Sequence, residues 1–356
     1  MKLLLMNAVA RSYGFEIEPH RLSAPDAVST RLRQRLGREV RTGEALAACL
    51  AYGASWPALC ELVRYLQDGF QLEQQALFDL SCFEARLGNA RLCFVHERSS
   101  QRSALPLLLL HGYSASLAEF QAHVLPLAAG AHGRAHHVVC PSLPGFGFSG
   151  GAQDARATAE LCAALMARLG YARYMVHGSE LGAKVALELA ALDEEHVVAA
   201  HVTSVAAYPA AEPLSPPEKS RAIRLFELES ELALAGTAAP LAELARALSQ
   251  VDEELGAPAR SLHDGVLTGL ALSLAFASSD QRARLHAARF APAPSSRVPL
   301  AVDLFPLDAP SFRGVAAQRY RIAEWNEHRF GGAMPALEQP ALWSASVARC
   351  AAQLDS

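Results

Sequence analysis

What the sequence lacks narrows its partners first. It has no block of lysines and arginines, and its 32 basic and 36 acidic residues leave a formal charge of −4. Such a surface offers no electrostatic footprint for nucleic acid or an anionic membrane. It has no C-x-x-C pair: the seven cysteines, Cys49, Cys60, Cys82, Cys93, Cys140, Cys162 and Cys350, are odd in number and scattered. That argues against a disulfide framework or a zinc site and suits a reducing compartment. No run approaches the roughly twenty apolar residues that span a bilayer. The opening MKLLLMNAVA is marginal in length for a signal segment and continues into domain-like sequence from Arg11. The expectation is a cytoplasmic protein with no membrane partner, secretion being the lesser alternative. His132, His136 and His137 follow no recognised ligand spacing and read as surface histidines, so no metal or cofactor is called for.

What is present is a large apolar fraction, 51 % of 356 residues, enough for one α/β domain with an insertion or for two modest domains. The Ala/Arg/Leu bias suggests a GC-rich bacterial genome. Residues 1–105 read as an N-terminal region. In it, Pro25–Leu36 with Asp26 as cap, and Trp56–Phe70 with its stripe of Trp56, Leu59, Leu62, Val63 and Leu66, read as helices. Cys82–Leu87 and Arg91–His96 read as strands turning at Gly88-Asn89. Leu105–Leu110 is a continuous apolar run, as expected of a strand buried on both faces of a parallel sheet, and it ends in His111-Gly112-Tyr113-Ser114. A helix is predicted over Leu117–Leu127 and a strand over His137–Cys140. The Gly/Pro-dense PSLPGFGFSG follows, a tightly built loop at a strand end.

Residues 154–170 read as a helix, Arg173–His177 and Val197–Val205 as strands. Across 209–295 the strand signal vanishes. Leu225–Leu234, Leu241–Leu248 and Leu262–Phe276 are helix-like there, the pattern of a cap. Strands resume at Val298–Phe305 and Tyr320–Trp325, with a last helix between Leu337 and Leu354. Residues 106–208 and 296–356 then form two parts of one core, an α/β-hydrolase fold with a helical cap inserted between sheet strands.

The centre of that layout is Gly178-Ser179-Glu180-Leu181-Gly182, where glycines flank a polar residue at a sharp strand-to-helix turn. This is the frame of a nucleophile elbow, with Glu180 at its centre and Ser179 one place too early. An ordinary strand–helix junction with a solvent glutamate is the plainer alternative.

Several strings together resemble the microsomal-type epoxide hydrolases over nearly the whole length. RSYGFEIEPHRLSAPDAVSTRLRQRL resembles the family's opening, and YGASWPALCELVRYLQDGFQLEQQALFDLSCFEARLGNARLCFVHERS its N-terminal meander. LLLLHGYSAS stands where that family has a His-Gly-Trp-Pro-Gly-Ser loop. PSLPGFGFSG and GGAMPALEQP resemble two further loops. In the family an elbow aspartate attacks an epoxide carbon and forms an ester, while two cap tyrosines assist the opening oxygen. A His–Asp/Glu pair activates the water that hydrolyses the ester, and main-chain N–H groups hold the oxyanion.

Carried onto this chain, the resemblance implies Glu180 as nucleophile, Asp308 as acid, and the N–H groups of Tyr113 and Leu181 as oxyanion donors. Glu180 is one methylene longer than aspartate, and a displacement near 1 Å can cost about a hundredfold in rate. The histidine position is Ala333, and a methyl group accepts no proton. His328, five residues earlier, is a candidate substitute whose plainer role is that of a loop histidine. ALSQVDEELG and SSDQRARLH occupy the stretches where the family carries its cap tyrosines. His111 is expected to hydrogen-bond beneath the oxyanion loop, and His177 to pack under the elbow.

Three readings stand. The chain opens an epoxide with relocated machinery; or it is a non-hydrolytic enzyme of this fold catalysing intramolecular opening, cyclisation or elimination; or it is an inactive ligand-binding homologue. In each, the ligand is a largely apolar small molecule held between sheet and cap. The sequence is compatible with a homodimer.

Overall fold

The computed structural model describes residues 16–23, 27–42, 46, 55–87, 90–112, 115–150, 154–207, 219–220, 223, 264–269, 271–272, 291–306, 308 and 310–354. The apolar runs become the middle of a sheet. Its strands are β1 (Glu16–Pro19), β2 (Cys82–Leu87), β3 (Ala90–Glu97), β4 (Leu105–Leu110), β5 (His136–Pro141), β6 (Tyr174–Gly178), β7 (Val197–Val202), β8 (Ser296–Leu304) and β9 (Tyr320–Glu327). They lie in the order β1-β2-β3-β5-β4-β6-β7-β8-β9. The β1–β2–β3–β5 pairings are antiparallel, and every pairing from β5–β4 to β8–β9 is parallel. Leu107 to Leu110 are fully buried. Burial of one such side chain contributes about 1.5–3 kcal/mol, which is why an unbroken apolar run takes a central position.

The helices are α1 (Ala27–Thr42), α2 (Trp56–Asp68), α3 (Val124–Ala129), α4 (Ala155–Arg168), α5 (Leu181–Leu192), α6 (Arg313–Ala316), α7 (Pro335–Glu338) and α8 (Pro340–Ala352). Helix α5 packs on one face of the sheet with α4, while α8 packs on the other through Trp343 and Val347. Helix α2 starts where Ser55 accepts a hydrogen bond from Ala58 N, and α4 where Asp154 accepts one from Ala157 N at 2.7 Å. A helical cap is inserted between β7 and β8; its described residues 219–220, 223, 264–269 and 271–272 are helical. Val266, Leu267 and Ala271 from that insertion bury with Leu59 and Leu62 of α2 and with Met334 and Leu337, so the N-terminal region clamps the cap near α7.

Several expectations need correction. The predicted helix over Leu117–Leu127 is a 3₁₀ turn, Leu117–Phe120, and a separate α3. Pro126 accounts for the break, because its ring clashes with the carbonyl four residues back and it has no N–H to continue a longer helix. Strand β1, unread in the sequence, pairs along β2 from Glu16↔Arg86 to Pro19↔Phe83. Helix α1 runs on to Thr42, and the last predicted helix divides into α7 and α8 at Gln339-Pro340. His136 is buried, not on the surface, and its Nδ1 bonds Leu105 O at 3.0 Å. Asp26, Gly88-Asn89, Tyr113-Ser114, Leu225–Leu234 and Leu241–Leu248 lie outside the described residues. Among the described residues all six cysteines are free thiols, and no helix is long and apolar enough to cross a membrane.

Candidate active site

The site is built at the carboxyl ends of β4, β6, β7 and β8. At the end of β6 the chain turns through Ser179 and enters α5 at Leu181. Glu180, at the turn, has φ 45° and ψ −111°, and is the one non-glycine with positive φ among the described residues. A side chain forced into such a region costs about 1–3 kcal/mol and is held there only by its surroundings. The flanking glycines are required by contact. A Cβ on Gly178 would stand 2.2 Å from Gly182 O, and one on Gly182 would stand 2.1 Å from Leu110 O. This tight crossing of β4 by the elbow turns Glu180 toward the loop after β4. A Cβ on Gly112 would meet Glu180 Oε2 at 2.6 Å, so the carboxylate rests directly on that loop. The plain alternative of a solvent glutamate is excluded, since Glu180 is 5 % exposed.

Ser179 points elsewhere. Its hydroxyl donates to Glu119, 3.2 Å from each carboxyl oxygen. Glu119 is fully buried, and the Gly112 main chain also bonds it. Burial first, and then the charges of Glu180 and Glu338, push its carboxyl well above the usual range against the hydrogen bonds from Ser179 and Gly112. Glu338, also buried, accepts the N–H groups of Gly332 at 2.6 Å and Met334 at 3.3 Å. It therefore pins the main chain on both sides of Ala333, whose methyl is itself buried.

Asp308 is buried and accepts the Thr203 hydroxyl at 2.7 Å, a contact with the end of β7 that sequence reasoning did not foresee. The histidine-bound acid is Asp303 of β8. Its carboxylate receives His201 Nε2 at 2.6 Å, His328 Nε2 at 2.8 Å and Asn326 Nδ2 at 2.9 Å. Although burial would raise it, bonds from His201 and His328 hold Asp303 well below the ordinary carboxylate range. Behind it runs a chain of fixed tautomers. Trp343 Nε1–H donates to His177 Nε2 at 3.0 Å, so the His177 proton sits on Nδ1 and is donated to His201 Nδ1 at 3.0 Å. The His201 proton is then on Nε2, facing Asp303. His177, a buried residue of β6 just before the elbow, packs edge-on against Phe120.

His328 stacks on Phe305 and commits its Nε2 to Asp303, so its observed partner is Asp303. His111 commits both nitrogens. Nδ1–H donates to Gly112 O at 2.8 Å, and Nε2 accepts Leu143 N–H at 3.0 Å. Burial lowers its pKa to about 4, against the Gly112 bond and the charge of Glu180. It thus stands neutral beneath the loop, the supporting role expected of it. Leu181 is buried as the first residue of α5, where a main-chain N–H has no partner within the helix.

One trio of possible metal ligands occurs among the described residues, His20, Glu84 and Cys93. Arg86 Nε at 3.1 Å and Arg91 Nη1 at 3.3 Å already hold the Glu84 carboxylate. Burial foremost raises the Cys93 thiol to about 11. Two guanidinium groups and a protonated thiol beside Glu84 form an ion-paired cluster.

The family model for the alpha/beta hydrolase fold matches residues 106–289. The chain belongs to that family. A second model, the epoxide hydrolase N terminus, matches residues 17–120, which contain β2 to β4, all of β1 but Glu16, and both N-terminal helices. Among α/β-hydrolase relatives, a Stigmatella aurantiaca protein bearing the epoxide hydrolase name is 29 % identical over 95 % of this chain and 85 % of its own. Epoxide hydrolase 1 of Oryctolagus cuniculus is 28 % identical over 54 % of this chain and 46 % of its own. Two solved structures share the α/β-hydrolase fold. Juvenile hormone epoxide hydrolase of the silkworm Bombyx mori superposes with a TM-score of 0.73 at 17 % identity, covering 98 % of this chain and 97 % of that one. The Aspergillus niger epoxide hydrolase superposes with 0.72 at 22 % identity, covering 97 % and 98 %.

Sequence reasoning missed Glu119, Glu338 and Asp303. The usable signal was an acid inside an apolar stretch, as in LAEF, PALE and AVDLF. Such an acid is buried only when hydrogen bonds compensate it.

Proposed function

We propose that this chain opens the epoxide of a largely apolar small molecule, with Glu180 acting as a general base. The observation that carries the reading is the strained elbow, which holds a carboxylate against the loop after β4. The names of its relatives and the match to the epoxide hydrolase N terminus supply the substrate class. Glu180 takes the proton of an attacking O–H, from water or from a hydroxyl of the substrate itself. The new C–O bond forms as the epoxide C–O bond breaks, its electron pair goes to the epoxide oxygen, and Glu180 returns the proton there. Leu181 N–H and, by resemblance, Tyr113 N–H stabilise charge in the loop; Asp308 braces the β7 end through Thr203. This route needs no imidazole at position 333.

The elbow frame is also that of a nucleophile, which favours a second reading in which Glu180 forms an ester. Incubation with apolar epoxides in ¹⁸O-labelled water distinguishes them. In a single turnover, a labelled diol with no ¹⁸O in the Glu180 carboxylate supports water attack, whereas an unlabelled diol with ¹⁸O in Glu180 supports the ester. An unlabelled isomer of the substrate supports intramolecular attack. A lasting adduct on Glu180 assigns the ester route, and an unchanged epoxide with ligand bound makes the chain a binding homologue.

A further inference from the structure

We propose that Glu119 is a positioning residue for Glu180, a neutral carboxylic acid clamped between Ser179 and Gly112 that leaves the negative charge on the elbow carboxylate. The inference deepens the reading of Glu180 as the acting group and rests on it. Its ground is the convergence of two carboxyl groups on one short piece of main chain. Gly112 bonds Glu119 and is also the residue on which Glu180 Oε2 rests. Ser179, the immediate neighbour of Glu180, reaches the same Glu119 carboxyl with a single hydroxyl proton shared between both oxygens.

The groups facing Glu119 are Glu180 from the elbow, Glu338 from α7 and the Cys140 thiol from β5. Three buried carboxyl groups facing one another do not all ionise, and one keeps its proton. Glu338 has two main-chain N–H groups directed at it, which favour its charged form. Glu119 is fully enclosed and meets two neighbouring carboxylates, which outweigh the hydrogen bonds it receives from Ser179 and Gly112, so the proton resides there. A neutral Glu119 supports the elbow through Ser179 without adding a third charge beside Glu180.

Infrared spectroscopy tests this with no turnover required, so its outcome is independent of whether an epoxide is the substrate. At neutral pH the wild-type protein shows the carbonyl stretch of a protonated carboxylic acid. The band persists in Glu180→Gln and Glu338→Gln and disappears in Glu119→Gln. A wild-type spectrum without the band, or a band surviving in Glu119→Gln, overturns the proposal. Ser179→Ala, which leaves every carboxyl in place, decides the matter if Glu119→Gln does not fold. Loss of the donated hydroxyl moves the band to higher frequency, and an unmoved band contradicts the clamp.

Discussion

The elbow side of the site and the side formed by residues 303–338 are held by different kinds of contact. On the elbow side, Leu110–Gly112 and Gly178–Gly182 cross so closely that neither Gly178 nor Gly182 tolerates a Cβ. The turn holds the Glu180 carboxylate against the loop after β4. On the other side the main chain is equally fixed: Gly331 has φ 104° and Glu338 holds both Gly332 and Met334. Yet Ala333 is a methyl, and the imidazole nearest in sequence, His328, is tied to Asp303. The comparison separates scaffold from chemistry. Backbone contacts specify a loop whatever side chain it presents, so the fixed main chain around Ala333 does not itself state the chemistry carried there.

Breaking the elbow side gives the largest effect. Glu180→Gln keeps the shape and removes the acceptor, and kcat for epoxide consumption falls by about 10²–10⁴-fold while the circular dichroism spectrum is unchanged. Breaking the other side costs stability. Asp303→Ala removes the acceptor of the buried His201 and of the part-buried His328 and Asn326, and destabilises by about 3–5 kcal/mol in chemical denaturation. The pH dependence has a definite sign. Because the folded carboxyl is depressed, its stabilisation is fully present above the unfolded value near 3.8 and is lost as pH falls toward the folded value. The gap in unfolding free energy between wild type and Asp303→Asn therefore closes in strongly acidic solution and is constant above about pH 5.

Smaller effects sharpen the contrast. Ala333→His inserts an imidazole into a buried place and costs about 1–3 kcal/mol by overpacking. On a general-base route it leaves the product unchanged; faster diol release in that variant would reveal an ester waiting on Glu180. Asp154→Ala, remote from both sides, removes the cap of α4 and lowers stability by about 1 kcal/mol in the same denaturation assay, with no change in turnover.

Much of the scaffold was legible because its signals are local. LPLLLL maps residue for residue onto β4, and Gly178 and Gly182 mark a crossing that only glycine permits. The helix predicted through Leu127 failed on one residue, Pro126, whose effect outweighs a good apolar stripe. The short edge strand β1, largely exposed, carries no core-facing pattern and forms only because β2 is there to pair with. The polar part of the site was least legible. His201 and Asp303 are separated by 102 positions, and Glu119 meets Ser179 across 60. Such pairs are set by the packing of strands against one another, which the spacing of residues along the chain does not encode.

The most direct measurement is the pH–rate profile of epoxide consumption by wild type and Glu180→Gln. A single acid limb, absent along with the activity in the variant, is the outcome predicted for a carboxylate working alone. An imidazole limb near pH 6.5 in the wild type, or a Glu180→Gln profile that matches it, would contradict the account.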